Sequence, residues 1–257
     1  MATAPKEVSL PLFYKELVPL NSSEHGAWKS RKTDKAKWLT NVHAVPLTVE
    51  EFPMAQRHYP IVFSSGDNPV PLALMGLNQG INVFVDEEGS LKDEVYLPAY
   101  ARRYPFMLAK LRPDSDELSL CFDPTSELLG EFEDGSALFD NDSPTEETNQ
   151  TLKFCEQFEI AGHKTSNFME ELKKNDLLTE GELNIQLDGM EKPFHYSGFQ
   201  MVHGDKLREV RGDLLRAWNQ NGMLPLIFAH VFSLELAREL FARQVRLGKG
   251  PISVPQS

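Results

Sequence analysis

Tyr59-Pro-Ile-Val-Phe63, Val70-Pro-Leu-Ala-Leu-Met75 and Ile81-Asn-Val-Phe-Val85 follow one another within a single short stretch of the chain. Each is a compact run of β-branched, aromatic and aliphatic residues, the composition of a strand rather than a helix. Gly76 and Gly80 punctuate the second and third runs, and Asp86-Glu-Glu-Gly89 supplies turn chemistry after the third. Such short strands at close spacing predict a meander or a curled antiparallel or mixed sheet. Pro60 and Pro71 cannot donate to a ladder, which places them at strand starts or sheet edges. Working outward, Val42–Val49 alternates around Pro46, and Leu118-Ser-Leu-Cys-Phe122 reads as a later strand. Residues 41–125 are therefore expected to form a β-rich part.

The pattern changes beyond it. Residues 124–144 are acidic and loop-like, and read as the boundary to a helix-rich part over 145–248. Thr145–Ile160 steps by three and four through Leu152, Cys155 and Phe158 or Glu159, predicting a helix ended by Gly162. A second helix is expected over Thr165–Asn175, capped by Thr165 or Ser166. Leu183–Leu187 and Phe194–Val202, joined through Asp188-Gly189, predict one late β-hairpin. Asp205–Asn219 carries an apolar stripe of Leu207, Val210, Leu214 and Trp218. The last helix is expected over Pro225–Arg246, buried in its apolar first half, with a disordered tail after Gly248. The fold class is thus α+β: a β-rich N-terminal half, then a mainly helical C-terminal half with one hairpin, in a single domain. Residues 1–40 read as a docking arm, because Trp28 and Trp38 flank its basic cluster of Lys29, Arg31, Lys32, Lys35 and Lys37.

Composition narrows the function classes. The 257 residues carry 26 Lys plus Arg against 38 Asp plus Glu, a formal charge of −12, which argues against nucleic acid as a partner. The longest uncharged apolar stretch, Gly222–Leu234, contains Pro225 and His230 and is too short to span a bilayer, so the protein reads as soluble. The N-terminus shows no basic region followed by an apolar run, hence no cleaved signal peptide, and a cytoplasmic location is expected. Cys121 and Cys155 have neither CxxC nor zinc spacing and suit buried thiols, although a single disulfide between them fits the sequence as well.

Candidate chemistry is sparse. His203-Gly-Asp205 matches part of a non-haem iron triad, with His230 as the one downstream histidine. Against this metal-binding alternative, Asp205 suits a helix N-terminus and His230 suits a satisfied core position. Gly76-Leu-Asn-Gln-Gly80 lacks a Walker lysine, Asp86-Glu-Glu-Gly89 lacks EF-hand spacing, and no GxSxG or HExxH is present. No catalytic residue and no cofactor is assigned. What stands out is Tyr96-Leu-Pro-Ala-Tyr-Ala-Arg-Arg-Tyr-Pro-Phe106: four aromatics, two prolines and two arginines without an acid. Consecutive Arg102 and Arg103 cannot face the same way, so at most one points inward and needs a carboxylate or carbonyls there. The alternative is ligand binding, one arginine meeting an anionic or sugar-like ligand beside Tyr96, Tyr100 or Tyr104.

The succession of Tyr59–Phe63, Pro71–Gly76, Asn82–Gly89 and above all Tyr96–Phe106 resembles the bacterial SapC family, as do Gly135–Asp140 and the closing helix around Ser233-Leu-Glu-Leu. One departure is Leu91, where the family pattern often has an aromatic. The resemblance spans nearly the whole chain and implies the surface-layer-associated family, not the peptide-transport permease of the same name. It also implies a non-enzymatic accessory or binding protein of a nutrient-uptake or cell-envelope system, with an unidentified protein partner or small ligand. Two alternatives accompany it: an accessory to a flavin-dependent, tryptophan-halogenase-like enzyme, and a metal-dependent oxidoreductase using His203, Asp205 and His230. A cell-surface location without a cleaved signal peptide is the alternative to the cytoplasm.

Overall fold

The computed structural model describes residues 10–92, 94–112, 114, 116–186 and 193–250. The chain groups into two compact units, one from Met1–Asp34 with Arg103–Glu159, the other from Lys35–Arg102 with Ile160–Ser257. The segment expected as a docking arm is accordingly divided at residue 34, and Trp28 and Trp38 belong to different units.

In the first unit, Val18–Pro19, Leu118–Phe122 and Phe106–Lys110 form an antiparallel sheet with Leu118–Phe122 at its centre. A second small sheet sets Lys29–Ser30 between Leu129–Gly130 and Ser136–Ala137. Phe106, Leu108, Phe122, Leu129, Leu138, Phe139 and Cys155 make the core, with Trp28 packed edge-on against Phe122. The acidic stretch at 124–144 is thus not a boundary loop: it contributes strands, and its charges meet the basic cluster. Arg31 pairs with Asp134 at 2.5 Å, and Lys29 Nζ donates to the Glu133 carbonyl at 2.6 Å. Both cysteines are free, buried thiols, and burial pushes Cys155 up to about 11.

The second unit is built on a five-stranded antiparallel sheet in the order Leu178–Ile185, Phe194–Val202, Ile61–Ser64, Pro71–Leu74, Ala44–Pro46. The strands expected from the apolar runs at 59–63 and 70–75 are present, and Pro71 stands at a strand start. The run Ile81–Val85 is not a strand. Asn82, fully buried, turns the chain instead: its Oδ1 accepts from the Phe84 and Val85 N–H groups, and its Nδ2 donates to the Leu39 and Val42 carbonyls. With the Phe84 and Val85 N–H groups taken by this side chain, the run forms no continuous strand and keeps a single bridge, from Val85 to Leu91. Asp86 then closes the next turn, its Oδ1 accepting from the Glu88 and Ser90 N–H groups.

Helices depart from expectation at three places. Residues Glu146–Lys174 form one 29-residue helix that runs through Gly162 and Thr165 without a break. Thr165 caps nothing in its own helix; its Oγ1 donates to the Ala161 carbonyl and accepts the Val49 N–H. A glycine costs a helix only about 1 kcal/mol, which long flanking turns outweigh. The Asp205–Asn219 pattern divides into Gly204–Arg208 and Gly212–Gln220. The last pattern divides into Met223–Ser233 and Leu236–Arg246, and the first of these is not buried on every side, since Phe228 and Phe232 are 39% and 64% exposed. The hairpin is longer than expected, beginning at Leu178; its Asp188-Gly189 connection and the tail from residue 251 lie outside the described residues.

Candidate functional site

The aromatic–arginine segment divides between the units after Arg102. In the second unit, Thr48 and Glu51 form a capping box that starts the turn Val49–Glu51, and Pro53 opens the helix Phe52–Ala55. This fixes the Glu51 carboxylate, which is 5% exposed, in front of Tyr96. Its Oε1 accepts from the Ala99 N–H at 2.6 Å and the Tyr96 hydroxyl at 3.0 Å, while Oε2 accepts from the Thr48 N–H and hydroxyl. Burial, and then the Glu51 charge and hydrogen bond, push the Tyr96 phenol up to about 12. Arg102, exposed at the end of the helix Ala99–Arg102, donates from Nη2 to the Tyr96 hydroxyl and from Nε to the Leu97 carbonyl. Tyr100 is buried.

Arg103 and Tyr104 belong to the first unit. Arg103 is the inward member of the pair: its side chain is 5% exposed, with Nη1 3.4 Å from Glu159 and the guanidinium 4.2 Å above the Phe158 ring. Tyr104 packs edge-on against Phe13 and Tyr14, and burial together with its hydrogen bond to Asp123 pushes its phenol up to about 12. Asp123 is fully buried and accepts from the Lys15 N–H, the Thr125 N–H and the Thr125 hydroxyl. Of the five residues singled out in this segment, the structure joins Tyr96 with Arg102, and gives Arg103 an acid partner of its own.

The metal-triad residues have other occupations. His230 is fully buried; its Nε2 accepts the Val202 N–H at 3.1 Å and its Nδ1 donates to the Ile61 carbonyl at 2.8 Å. The ring stacks on Phe63 at 4.4 Å, and burial lowers its pKa to about 4. With one nitrogen protonated and the other accepting, no lone pair is left for a metal. His203 precedes the helix Gly204–Arg208, and Asp205 lies in its first turn, paired with Arg208 at 2.7 Å. Among the described residues, no group of three or more His, Cys, Asp or Glu is placed to hold a metal ion.

A groove of about 510 Å³ lies in the second unit, between the turn at Val49, the second half of the long helix and the start of the helix Met223–Ser233. Val49, Phe168 and Met223 are its buried apolar lining, with Pro53 and Leu226 beside them. Lys164 and Glu50, paired at 2.5 Å, cross one side. Asn167, Glu171 and Asn221 present amide and carboxylate groups on the others. Glu171 is held in place by the Trp218 indole N–H and the Asn175 amide, and Asn221 accepts the Met223 N–H at the helix start. Its volume falls in the range of small-molecule sites, and its apolar floor with a few fixed polar groups is their usual composition. Sequence reading missed it because its residues come from three separate segments. The helix end read at Gly162 concealed that Lys164, Asn167, Phe168 and Glu171 share one helix face at three- and four-residue spacing.

Among the described residues no helix is long and apolar enough to cross a membrane. No curated protein and no solved structure matches the chain. The SapC family model, however, matches residues 20–240, nearly the whole sequence. It covers both units and the whole Tyr96–Phe106 segment, and on that extent the chain belongs to the SapC family.

Proposed function

We propose that this protein is a non-enzymatic binding protein serving a bacterial nutrient-uptake or cell-envelope system, and that its groove holds a sugar-like ligand. The groove's composition carries the reading: an apolar floor of Val49, Phe168 and Met223 beneath the amides of Asn167 and Asn221 and the carboxylate of Glu171. A sugar ring has an apolar face to lie on such a floor and hydroxyls that both donate to a carboxylate and accept from amides. Within the groove, Lys164 is balanced by Glu50, and Glu171 adds a negative charge, so a neutral ligand suits it better than an anion. The buried acids support binding over catalysis. Glu51 and Asp123 are committed to backbone and side-chain donors, which leaves neither poised to move a substrate proton.

The test is a thermal-shift screen with mono- and oligosaccharides, followed by calorimetric titration of any that raise Tm. A sugar that stabilises the protein by mass action, and loses its effect in Asn167→Leu, supports the reading. Asn167 is exposed and outside the core, so this variant should fold. Absence of any saccharide response, or a response unchanged in Asn167→Leu, overturns it.

A further inference from the structure

We propose that a second, smaller cavity in the same unit binds a small zwitterion with an apolar side chain, such as a free aliphatic amino acid. The cavity is about 210 Å³, below the usual size of drug-like sites. Its helical wall is built by Leu236, Glu239, Leu240 and Arg243, whose three- and four-residue steps put them on one face of the helix Leu236–Arg246. Phe84, held by the Asn82 turn and buried, also lines the cavity. The Arg243 guanidinium sits 4.6 Å above the Phe84 ring, which fixes its orientation. Arg57 and Glu94 complete the charged lining.

The charge pattern selects the ligand. Among the described residues, two guanidinium groups, two carboxylates and the His58 imidazole line a small space whose apolar surface comes from Phe84, Val95, Leu236 and Leu240. Glu239 is four residues before Arg243, the favourable spacing for an ion pair, yet among the described residues Arg57, Glu94 and Glu239 make no side-chain hydrogen bond or ion pair. A purely anionic ligand would meet the two carboxylates, and a purely cationic one the two arginines. A molecule with a carboxylate and an ammonium on one carbon offers Arg57 and the two carboxylates their complements, and its side chain can cover the apolar surface.

Calorimetric titration of the whole protein with L-leucine, L-leucinamide and N-acetyl-L-leucine tests this. L-Leucine should bind, and each analogue, lacking one of the two charges, should bind about tenfold or more weakly. Arg57→Gln should weaken L-leucine by a similar factor, and Glu239→Gln should narrow the gap between L-leucine and N-acetyl-L-leucine. Both residues are exposed, so the variants should keep the wild-type Tm. No heat with L-leucine at millimolar concentration, or equal binding of all three compounds, overturns the proposal. The two cavities share no lining residue, so either can fail without the other: Arg57→Gln should leave a saccharide response intact, and Asn167→Leu should leave the leucine response intact.

Discussion

His230 Nε2 accepts the backbone N–H of Val202 at 3.1 Å, and through this bond the helix Met223–Ser233 is tied to the end of the hairpin strand Phe194–Val202. The same ring donates to the Ile61 carbonyl, so one side chain links a helix to two neighbouring strands. The bonds require the neutral ring, and burial lowers the pKa from 6.5 to about 4. A depressed folded pKa means that the unfolded chain takes up the proton first. The contribution is full above about pH 6.5 and is lost as pH falls toward 4. It amounts to roughly 3 kcal/mol. Urea midpoints should therefore fall between pH 7 and pH 4.5 in the wild type. In His230→Gln, less stable at pH 7, this fall should be smaller; an equally steep fall would show that other groups cause it.

Glu51 makes four hydrogen bonds that all need carboxylate oxygens. Glu51→Gln turns one oxygen into an amide that faces donors, with an expected loss on the order of 3 kcal/mol. The same change removes a negative charge beside Tyr96, so that phenol should titrate lower than its wild-type value of about 12. Denaturant unfolding measures the first effect and phenolate absorbance at alkaline pH the second.

Arg103 carries a buried charge whose partner, Glu159, is 38% exposed. Because water can reach Glu159 when the pair is broken, Arg103→Met should cost only about 1–2 kcal/mol, below the usual loss for a fully buried pair. Arg103→Ala should cost more, since it also removes the packing against Phe158. Chemical denaturation of both variants gives the comparison, and a larger loss for Met than for Ala would contradict it.

Two glycines should respond in opposite directions. Gly162 lies within the long helix with open space around an added Cβ, so Gly162→Ala should stabilise by about 1 kcal/mol. At Gly181 an added Cβ would come 2.1 Å from the Phe199 ring, next to the register shift in the hairpin. Gly181→Ala should therefore destabilise by about 1–3 kcal/mol. Thermal melts of the pair test both signs.

The legible parts of the fold were those encoded by neighbours in sequence. The strand at Leu118–Phe122, the Asp86–Gly89 turn and the hairpin strand Phe194–Val202 all follow from alternation and turn chemistry, which act over a few residues. Ile81–Val85 had the composition of a strand and became a loop, because the Asn82 amide found the Leu39 and Val42 carbonyls, partners that no local pattern announces. Gly162 looked like a helix end and was not, since nothing nearby in sequence shows that Thr165 will secure Val49. In the aromatic–arginine segment, alternation limits the inward arginines of the Arg102–Arg103 pair to at most one; that it is Arg103, and that Glu159 meets it, is decided by contacts distant in sequence.

Taken alone, the amino-acid order determined the α+β class, the family and the strands at Ile61–Ser64, Pro71–Leu74, Leu118–Phe122 and Phe194–Val202, because periodicity, turn residues and motif succession are properties of short segments. Only the tertiary structure decided that the hairpin pairs with Ile61–Ser64, that Glu51 and His230 serve as buried ties, and that residues near 50, 167 and 223 enclose one groove. Those outcomes depend on contacts between residues far apart in the chain. Which distant donors and acceptors meet is set by the packing of the whole unit and not by any window of sequence.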